Sequence, residues 1–175
     1  MHINSHPRAA NLLGAAALSL TDLMMSETTG TAGVSASGAA ALVILSAVPG
    51  LTVTELGRRV GLSQSASARM VDSLEAGGRV TRSPGPGRWV TVQLTASGRR
   101  AARDLLAARG ASLTGVLGAL DEDEQEELAL LLARLLTRLH DEIRSSEVIC
   151  RLCDRAACTA GAVCPVGQAE RDRQS

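Results

Sequence analysis

Apolar positions recur along most of this chain with the spacing of an α-helix. Residues 8–25 form a first Ala/Leu-rich segment, and residues 35–48 form a second, which Ser35 can cap and which Pro49 and Gly50 end. The run between them, SETTGTAGVSASG, is rich in Ser, Thr and Gly, which predicts a loop. The chain therefore opens with two predicted helices joined by a loop.

Two capped helices separated by a glycine follow. Thr52 and Glu55 have the spacing of a capping box, so a short helix should run from there to Val60. Ser63 can cap a second helix, which the glycines at 77–78 should end. Its packing face holds Ala66, Met70, Val71 and Leu74, and its free face holds Gln64, Ser65, Ser67, Ala68, Arg69, Asp72 and Ser73.

A hairpin and two longer helices complete this pattern. Residues 79–82 and 89–94 are strand-like and are joined by the Pro- and Gly-rich run 83–88. A helix capped at Thr95 should extend to about Leu120. The composition agrees with a helical fold, because the chain has one Trp and no Phe or Tyr, so its core must consist of aliphatic side chains.

The last long helix starts at Asp121 and is strongly amphipathic. Its acidic first turn suits the positive end of the helix dipole. Its apolar stripe consists of Leu128, Leu131, Leu132, Leu135, Leu139 and Ile143. Two packing partners are considered for this stripe: elements of the same subunit, or a dimer interface shared with the first helix and the start of the helix that Thr95 caps.

Charge is unevenly distributed although the net charge is +0. Residues 51–110 contain ten arginines against four acidic residues, and the acidic run 121–127 supplies much of the compensation. A local excess of arginine is typical of a surface that binds nucleic acid.

The predicted fold is mainly α with a small β wing, in the order of a winged helix-turn-helix. Residues 51–80, LTVTELGRRVGLSQSASARMVDSLEAGGRV, and residues 92–98, VQLTASG, resemble the MarR family of bacterial transcriptional regulators. The resemblance extends over about residues 8–145. It implies a homodimer in which N- and C-terminal dimerisation helices form the interface and each lobe presents a recognition helix to the major groove.

The resemblance identifies residues 63–76 as the recognition helix. Its candidate base contacts are Gln64, Ser65, Ser67 and Arg69, of which arginine is best suited to guanine, although simple solvation of Gln64 and the serines stays open. In the wing, Arg82 is expected to meet phosphate and Arg88 to enter the minor groove. The family's Asp-x-Arg pair at the wing tip is replaced here by Pro84-Gly-Pro-Gly-Arg88. A two-fold dimer favours a palindromic operator.

Four cysteines lie after the last long helix with the spacing C-x2-C-x4-C-x5-C: Cys150, Cys153, Cys158 and Cys164. Four closely spaced thiolates complete a tetrahedral Zn²⁺ shell. They also suit an iron-sulfur cluster, for which a Pro after the final Cys is typical, and a thiol/disulfide switch is the third alternative. His140 is interpreted as an ordinary surface histidine rather than a further ligand.

These observations predict four regions: N-terminal helices (1–50), a DNA-binding region (51–95), C-terminal dimerisation helices (96–145) and a four-cysteine metal-binding tail (146–175). We expect a repressor that binds double-stranded DNA, and the alternative is a winged-helix protein-interaction module. An enzyme is not expected, because no phosphate-binding loop, dinucleotide fingerprint or nucleophile elbow is present, and the histidines at 2, 6 and 140 form no catalytic set.

No uninterrupted apolar run reaches the length of a membrane span, and the N-terminus lacks the layout of a signal peptide. We therefore expect a cytoplasmic protein without a membrane partner, where clustered cysteines more often bind metal or sense redox state. The MarR resemblance also implies a possible small-molecule effector. Because few aromatic side chains are present to line its site, the cysteines are favoured as the sensor.

Overall fold

The computed structural model describes residues 5–85, 87 and 89–174. The long helices are α1 (Ser5–Ala32), α2 (Ala36–Ala47), α3 (Val53–Val60), α4 (Gln64–Ala76), α5 (Ala96–Leu117) and α6 (Glu122–Ile143). Three further helices, α7 (Ser146–Ile149), α8 (Arg155–Cys158) and α9 (Pro165–Gln174), follow towards the C-terminus. The strands are β1 (Leu51–Thr52), β2 (Val80–Pro84) and β3 (Val90–Leu94).

The strands form one antiparallel sheet in the order β1-β3-β2. In the hairpin, Val80 pairs with Leu94 and Pro84 pairs with Val90. β1 adds to the other edge of β3, with Leu51 opposite Val92. The hairpin was predicted, whereas β1 was not, because two residues are too few to show a sequence pattern and their pairing is with a distant strand.

The core lies around α2, which is apolar on all sides. Residues 38–45 of this helix are all buried, as expected for a helix surrounded by other elements. α2 packs against α1, α3, α4, α5 and β3. The remaining core side chains include Leu56, Val71, Leu74, Val92 and Leu105. One aliphatic core therefore supports the helix-turn-helix and the hairpin together.

The predicted starts of the helices at Thr52, Ser63 and Thr95 are confirmed. Thr52 Oγ1 accepts from the Glu55 amide at 3.2 Å while the Glu55 carboxylate accepts from the Thr52 amide, which completes the capping box. This pairing holds the pKa of Glu55 below its ordinary value. Ser63 caps α4 and Thr95 caps α5 in the same manner.

The predicted loop at 26–38 is largely wrong, because α1 continues to Ala32. Ser and Thr lower helix propensity only modestly, and a helix of this length tolerates them. The helix ends where Gly33 adopts a φ of +59°, a conformation that glycine enters without steric cost. Similarly, α5 ends at Leu117, with Gly118 as its C-cap, rather than at Leu120.

Residues 7–26 of α1 are long and apolar enough to cross a membrane, and none of that segment is buried inside the chain. The sequence-based prediction excluded such a segment, because it required an uninterrupted apolar run. Length and mean hydropathy do not distinguish a span from a helix that packs in a protein interface. Within one copy, α1 packs against α5 and α2 but keeps the apolar segment 7–26 unburied.

Candidate nucleic-acid interface and cysteine cap

The two helices of the helix-turn-helix meet at Gly57 and Ser67. A Cβ on Gly57 would stand 1.7 Å from Ser67 Oγ and 2.5 Å from Ser67 Cβ, so only glycine permits this approach. The turn between the helices depends on Gly61, which adopts a φ of +87°. Gly57 and Gly61 therefore determine the distance and orientation of α4 relative to α3.

The exposure predicted for the recognition helix is confirmed for Gln64, Ser65 and Arg69, which lie on its outer face. The same prediction is wrong for Ser67, which is 1% exposed. Its hydroxyl donates to the Ser63 carbonyl at 2.7 Å, which satisfies the buried polar group. Ser67 therefore belongs to the packing between α3 and α4 and not to the surface that faces a partner.

Arg82, expected to meet phosphate, is engaged instead by two carboxylates of α4. Its guanidinium pairs with Asp72 at 2.6 Å and with Glu75, and its backbone amide donates to Glu75 at 3.0 Å. The hydrogen bond to Asp72 is the main cause that raises the pKa of Arg82. Arg82 thus ties the wing to the recognition helix, and the structure does not leave its guanidinium free for a phosphate.

The wing tip presents Trp89, which is 69% exposed. Sequence reasoning did not single out this residue, although a sole aromatic side chain beside a Pro- and Gly-rich turn was an available signal. Arg88, the predicted minor-groove residue, lies outside the described residues. Trp89 is consequently an exposed aromatic side chain at the tip of the wing.

The C-terminal segment 145–174 folds back on the protein as a small unit, here termed the cysteine cap. Glu147 of α7 forms ion pairs with two residues of α3: it pairs with Arg58, at 3.1 Å from Nη2, and with Arg59, at 3.3 Å from Nε. The methyl groups of Val148 lie over Gly61, and Leu152 packs against the core. The cap is therefore joined directly to the helix-turn-helix.

The four predicted cysteines all line one cavity of about 520 Å³ in the cap, and none forms a disulfide. The Cys153 thiol donates to Cys150 and also contacts Cys158, which in turn contacts Cys164. The backbone amide of Gly167 donates to Cys164 Sγ at 3.4 Å. Among the residues with described positions, however, no three His, Cys, Asp or Glu side chains are arranged as ligands of one metal ion.

The surroundings of the thiols differ. The hydrogen bond from Cys153 holds the pKa of Cys150 below its ordinary value of 9.0, and the same bond raises the pKa of Cys153. Burial is the main cause that raises the pKa of Cys158 to about 11. Of Cys150 and Cys153, Cys150 is thus the thiol that ionises more easily.

The prediction that His140 is a surface residue is wrong, because this side chain is 0% exposed. Its Nε2 donates to Glu170 of α9 at 2.7 Å, and its Nδ1 finds no hydrogen-bond partner within the described part of the chain. The pairing with His140 is the main cause that lowers the pKa of Glu170 to about 2. The helix α9 is therefore tied to α6.

The other walls of the cavity come from two chemically distinct sources. The apolar residues are Val43, Ile44, Ala47 and Val48 of α2, and the charged residues are the arginines Arg59, Arg155 and Arg171 together with the carboxylates Glu147 and Glu170. The volume is in the range of pockets that hold small molecules.

A buried apolar helix, two short helices joined at a glycine and an antiparallel hairpin define a winged helix-turn-helix protein. Residues 32–88 match the model of the MarR family. Over about three quarters of the chain, the fold is similar to that of MarR-family transcription regulators of known structure.

The YusO protein from Bacillus subtilis is 26% identical over 76% of this chain and 96% of that one, with a TM-score of 0.65. Wild-type MarR from E. coli, in its apo form, is 25% identical over 73% and 96% of the two chains, with a TM-score of 0.61. The Mycobacterium tuberculosis MarR family protein RV2887 in complex with salicylic acid is 28% identical over 71% and 93%, with a TM-score of 0.56. No curated protein matches the chain.

Proposed function

We propose that this protein is a transcriptional repressor that binds a palindromic DNA operator as a homodimer. The observation that carries the proposal is the free outer face of α4: Gln64, Ser65 and Arg69 are exposed, while the opposite face of the helix is buried in the core. An exposed helix face of this kind fits the major groove.

Two uncovered apolar faces support the homodimer. Leu12, Leu13 and Leu18 of α1 are exposed, and so is most of the α6 stripe, namely Leu131, Leu132, Leu135, Leu139 and Ile143. Several exposed leucines on one helix are typical of an interaction site. A second copy of the chain is the occupant we propose, because the same family resemblance implies dimerisation through these terminal helices.

In the proposed complex the side chains have separate roles. Arg69 reads a base edge, with guanine preferred, and Gln64 and Ser65 make adaptable polar contacts beside it. Arg82 positions the wing through Asp72 and Glu75 rather than acting on DNA itself. Arg88 stays a predicted minor-groove contact.

The test is selection of bound duplexes from a random pool, followed by titration of the selected duplex. We expect one dimer per site and a change in Trp89 fluorescence on binding, since this exposed residue is the only Trp in the chain. Arg69→Gln should weaken binding by roughly 5- to 100-fold and relax the preference at one position of each half-site, as for loss of a base contact worth about 1–3 kcal/mol.

The matched control is Arg138→Gln, which removes one exposed arginine from α6 and should leave the DNA affinity within about twofold. If the dimeric protein binds no duplex even at low salt, the rival function, a winged-helix module that binds protein, is favoured. Equal affinity of the wild type and Arg69→Gln would remove Arg69 from the proposed interface.

We further propose that the four cysteines bind Zn²⁺, with an iron-sulfur cluster as the alternative, and that this site modulates DNA binding. The support is the common cavity, the chain of contacts between the thiols and the absence of any disulfide among Cys150, Cys153, Cys158 and Cys164. Binding would require the sulfur atoms to rotate towards one centre, which short spacings such as C-x2-C allow.

A small-molecule effector is a second possible signal in this proposal. RV2887 has been crystallised with salicylic acid, and Arg155, which lines the cavity of this chain, suits an anionic ligand. We propose that the protein acts in the cytoplasm, where MarR-family regulators typically function.

A further inference from the structure

We propose that the cysteine cap is a metal-dependent clamp on the helix-turn-helix: Zn²⁺ bound by the cysteines holds Glu147 against Arg58 and Arg59 of α3 and thereby increases the affinity for DNA. This inference rests on the proposed function for its second half. The claim that zinc binding stabilises α3 depends only on the contacts of the cap.

The cap is too small to be stable through its own core. Val166 is the one side chain in residues 145–174 that is buried, and Leu152 contributes by packing on the neighbouring core. Small folding units below about 40 residues usually need a cross-link, a metal or a partner. A metal ion held by four thiolates supplies such a cross-link, because its binding energy contributes to folding.

The contact with α3 depends on a helix that cannot form by itself. α7 has four residues, Ser146–Ile149, and helices of this length are unstable in isolation. It begins at the cap residue Ser145 and ends at Cys150, the first proposed ligand. Fixing Cys150 in a metal site therefore fixes the position of Glu147, which lies three residues earlier.

The clamp acts on the part of the molecule that positions α4. Glu147 pairs with both Arg58 and Arg59 in the last turn of α3. Val148 covers Gly61, the residue that makes the turn into α4. Ordering α7 thus restricts α3, the turn and consequently the recognition helix.

The far side of the cap is anchored on α6. α9 packs along α6, and Glu170 pairs with the buried His140. With α7 on α3 and α9 on α6, the folded cap bridges the DNA-binding lobe and the proposed dimer helix. A rigid bridge fixes the spacing of two recognition helices, and preorganisation of this kind increases affinity.

The experiment compares the full-length zinc-loaded protein with the same protein after chelation with EDTA under reducing conditions. We expect one zinc per chain, lost when all four cysteines are replaced by serine. Chelation should weaken binding to the selected duplex by about tenfold or more, within the range of typical coupling between sites, and should speed amide hydrogen exchange in α3.

The discriminating variant is Glu147→Gln, which removes the ion pairs but none of the sulfur atoms. This variant should bind zinc as the wild type does. On chelation, its DNA affinity and the rate of amide hydrogen exchange in α3 should each change less than threefold. Arg59→Gln removes a partner of Glu147 on α3, and hydrogen exchange in α3 of this variant should likewise respond less to chelation than in the wild type. The matched control is Glu142→Gln, which removes the exposed ion pair with Arg138 on α6 and should behave as the wild type.

Three results would overturn the clamp: no bound zinc, tighter DNA binding after chelation, or an equal response to chelation in Glu147→Gln and the wild type. Iron and sulfide in an anaerobic preparation would overturn zinc as the occupant. The two proposals fail separately. DNA binding with the same affinity in the presence and absence of zinc would support the proposed regulator and contradict the clamp. Zinc-dependent protection of α3 from hydrogen exchange, without any DNA binding, would support the contact between the cap and α3 and contradict the proposed regulator.

Discussion

At the scale of single residues, the contact between Gly57 and Ser67 determines the geometry of the helix-turn-helix. The missing side chain at Gly57 lets α4 approach α3 until the Ser67 hydroxyl occupies the space of a Cβ atom. The hydroxyl is satisfied within its own helix by the Ser63 carbonyl, so it carries no polar penalty into the core. Ser67, which the sequence pattern places on the polar surface of α4, is therefore a buried packing residue.

Gly57→Ala is expected to destabilise the protein by about 1–3 kcal/mol, because the new methyl group overlaps Ser67 and the helices must separate. Chemical denaturation of the purified protein measures the change. Gly115→Ala in α5 is the control, since no atom lies within 4 Å of its added Cβ in one copy of the chain, and helix propensity favours Ala over Gly by up to about 1 kcal/mol. Equal stability of Gly57→Ala and the wild type would show that this contact is looser than described.

At the scale of elements, α9 depends on α6 for its position. The two helices pack along each other, and the hydrogen bond between His140 and Glu170 connects them, while Arg173 forms an ion pair with the same Glu170 carboxylate at 3.1 Å. Because His140 is buried, its partner sits at the edge of an apolar contact, where a hydrogen bond to a charged group is stronger than in water. Docking of the cap on α6 should therefore depend on the charge of Glu170.

Glu170→Gln should lower the thermal stability of the protein at pH 7, and the difference from the wild type should narrow as the pH falls towards 3. The pKa of Glu170 is lowered to about 2 in the folded protein from an ordinary value of 4.5. Its contribution is thus fully present above pH 4.5 and is lost as the pH falls through the folded pKa of about 2.

Thermal unfolding of both proteins across this pH range provides the measurement. Glu142→Gln again serves as the control, because its exposed pair with Arg138 is expected to contribute less than about 1 kcal/mol at any pH. A difference between wild type and Glu170→Gln that stays constant from pH 7 to pH 3 would contradict the assigned pairing.

At the scale of the whole molecule, the single chain leaves two apolar faces uncovered. α1 has no buried residue within its segment 7–26, and the stripe on α6 is open along most of its length. α5 packs against α1 and α9 packs against α6, but these apolar side chains stay exposed in one copy. The proposed homodimer explains both faces through a single interface, and it also provides the two recognition helices that a palindromic site requires.

Leu135→Glu is expected to convert the protein to a monomer, because it places a charge in the middle of the α6 stripe. Loss of the second DNA contact should then weaken binding to the selected duplex by about 100-fold or more. Size-exclusion chromatography with light scattering and a DNA titration measure the two effects. Thr137→Glu, on the polar side of the same helix, should change neither. A dimer that persists in Leu135→Glu would show that this stripe is not the interface.

Much of the fold was predictable because its signals are local. The helices α2, α3, α4 and α5 begin after the N-cap residues Ser35, Thr52, Ser63 and Thr95. Each of these side chains accepts a hydrogen bond from the backbone amide three residues later. The apolar periodicity that identified α6 is likewise contained within one helix. Such features are set by neighbouring residues, and the sequence by itself determined them.

The outcome for three polar side chains was decided only by the tertiary structure. Ser67 is buried because α3 has a glycine opposite it, Arg82 is engaged because the wing lies beside two carboxylates of α4, and His140 is buried because α9 covers it. The link from Glu147 to α3 spans 89 residues. Each of these contacts joins segments that are distant in the chain, and whether a polar side chain faces water or a partner depends on what the fold places next to it.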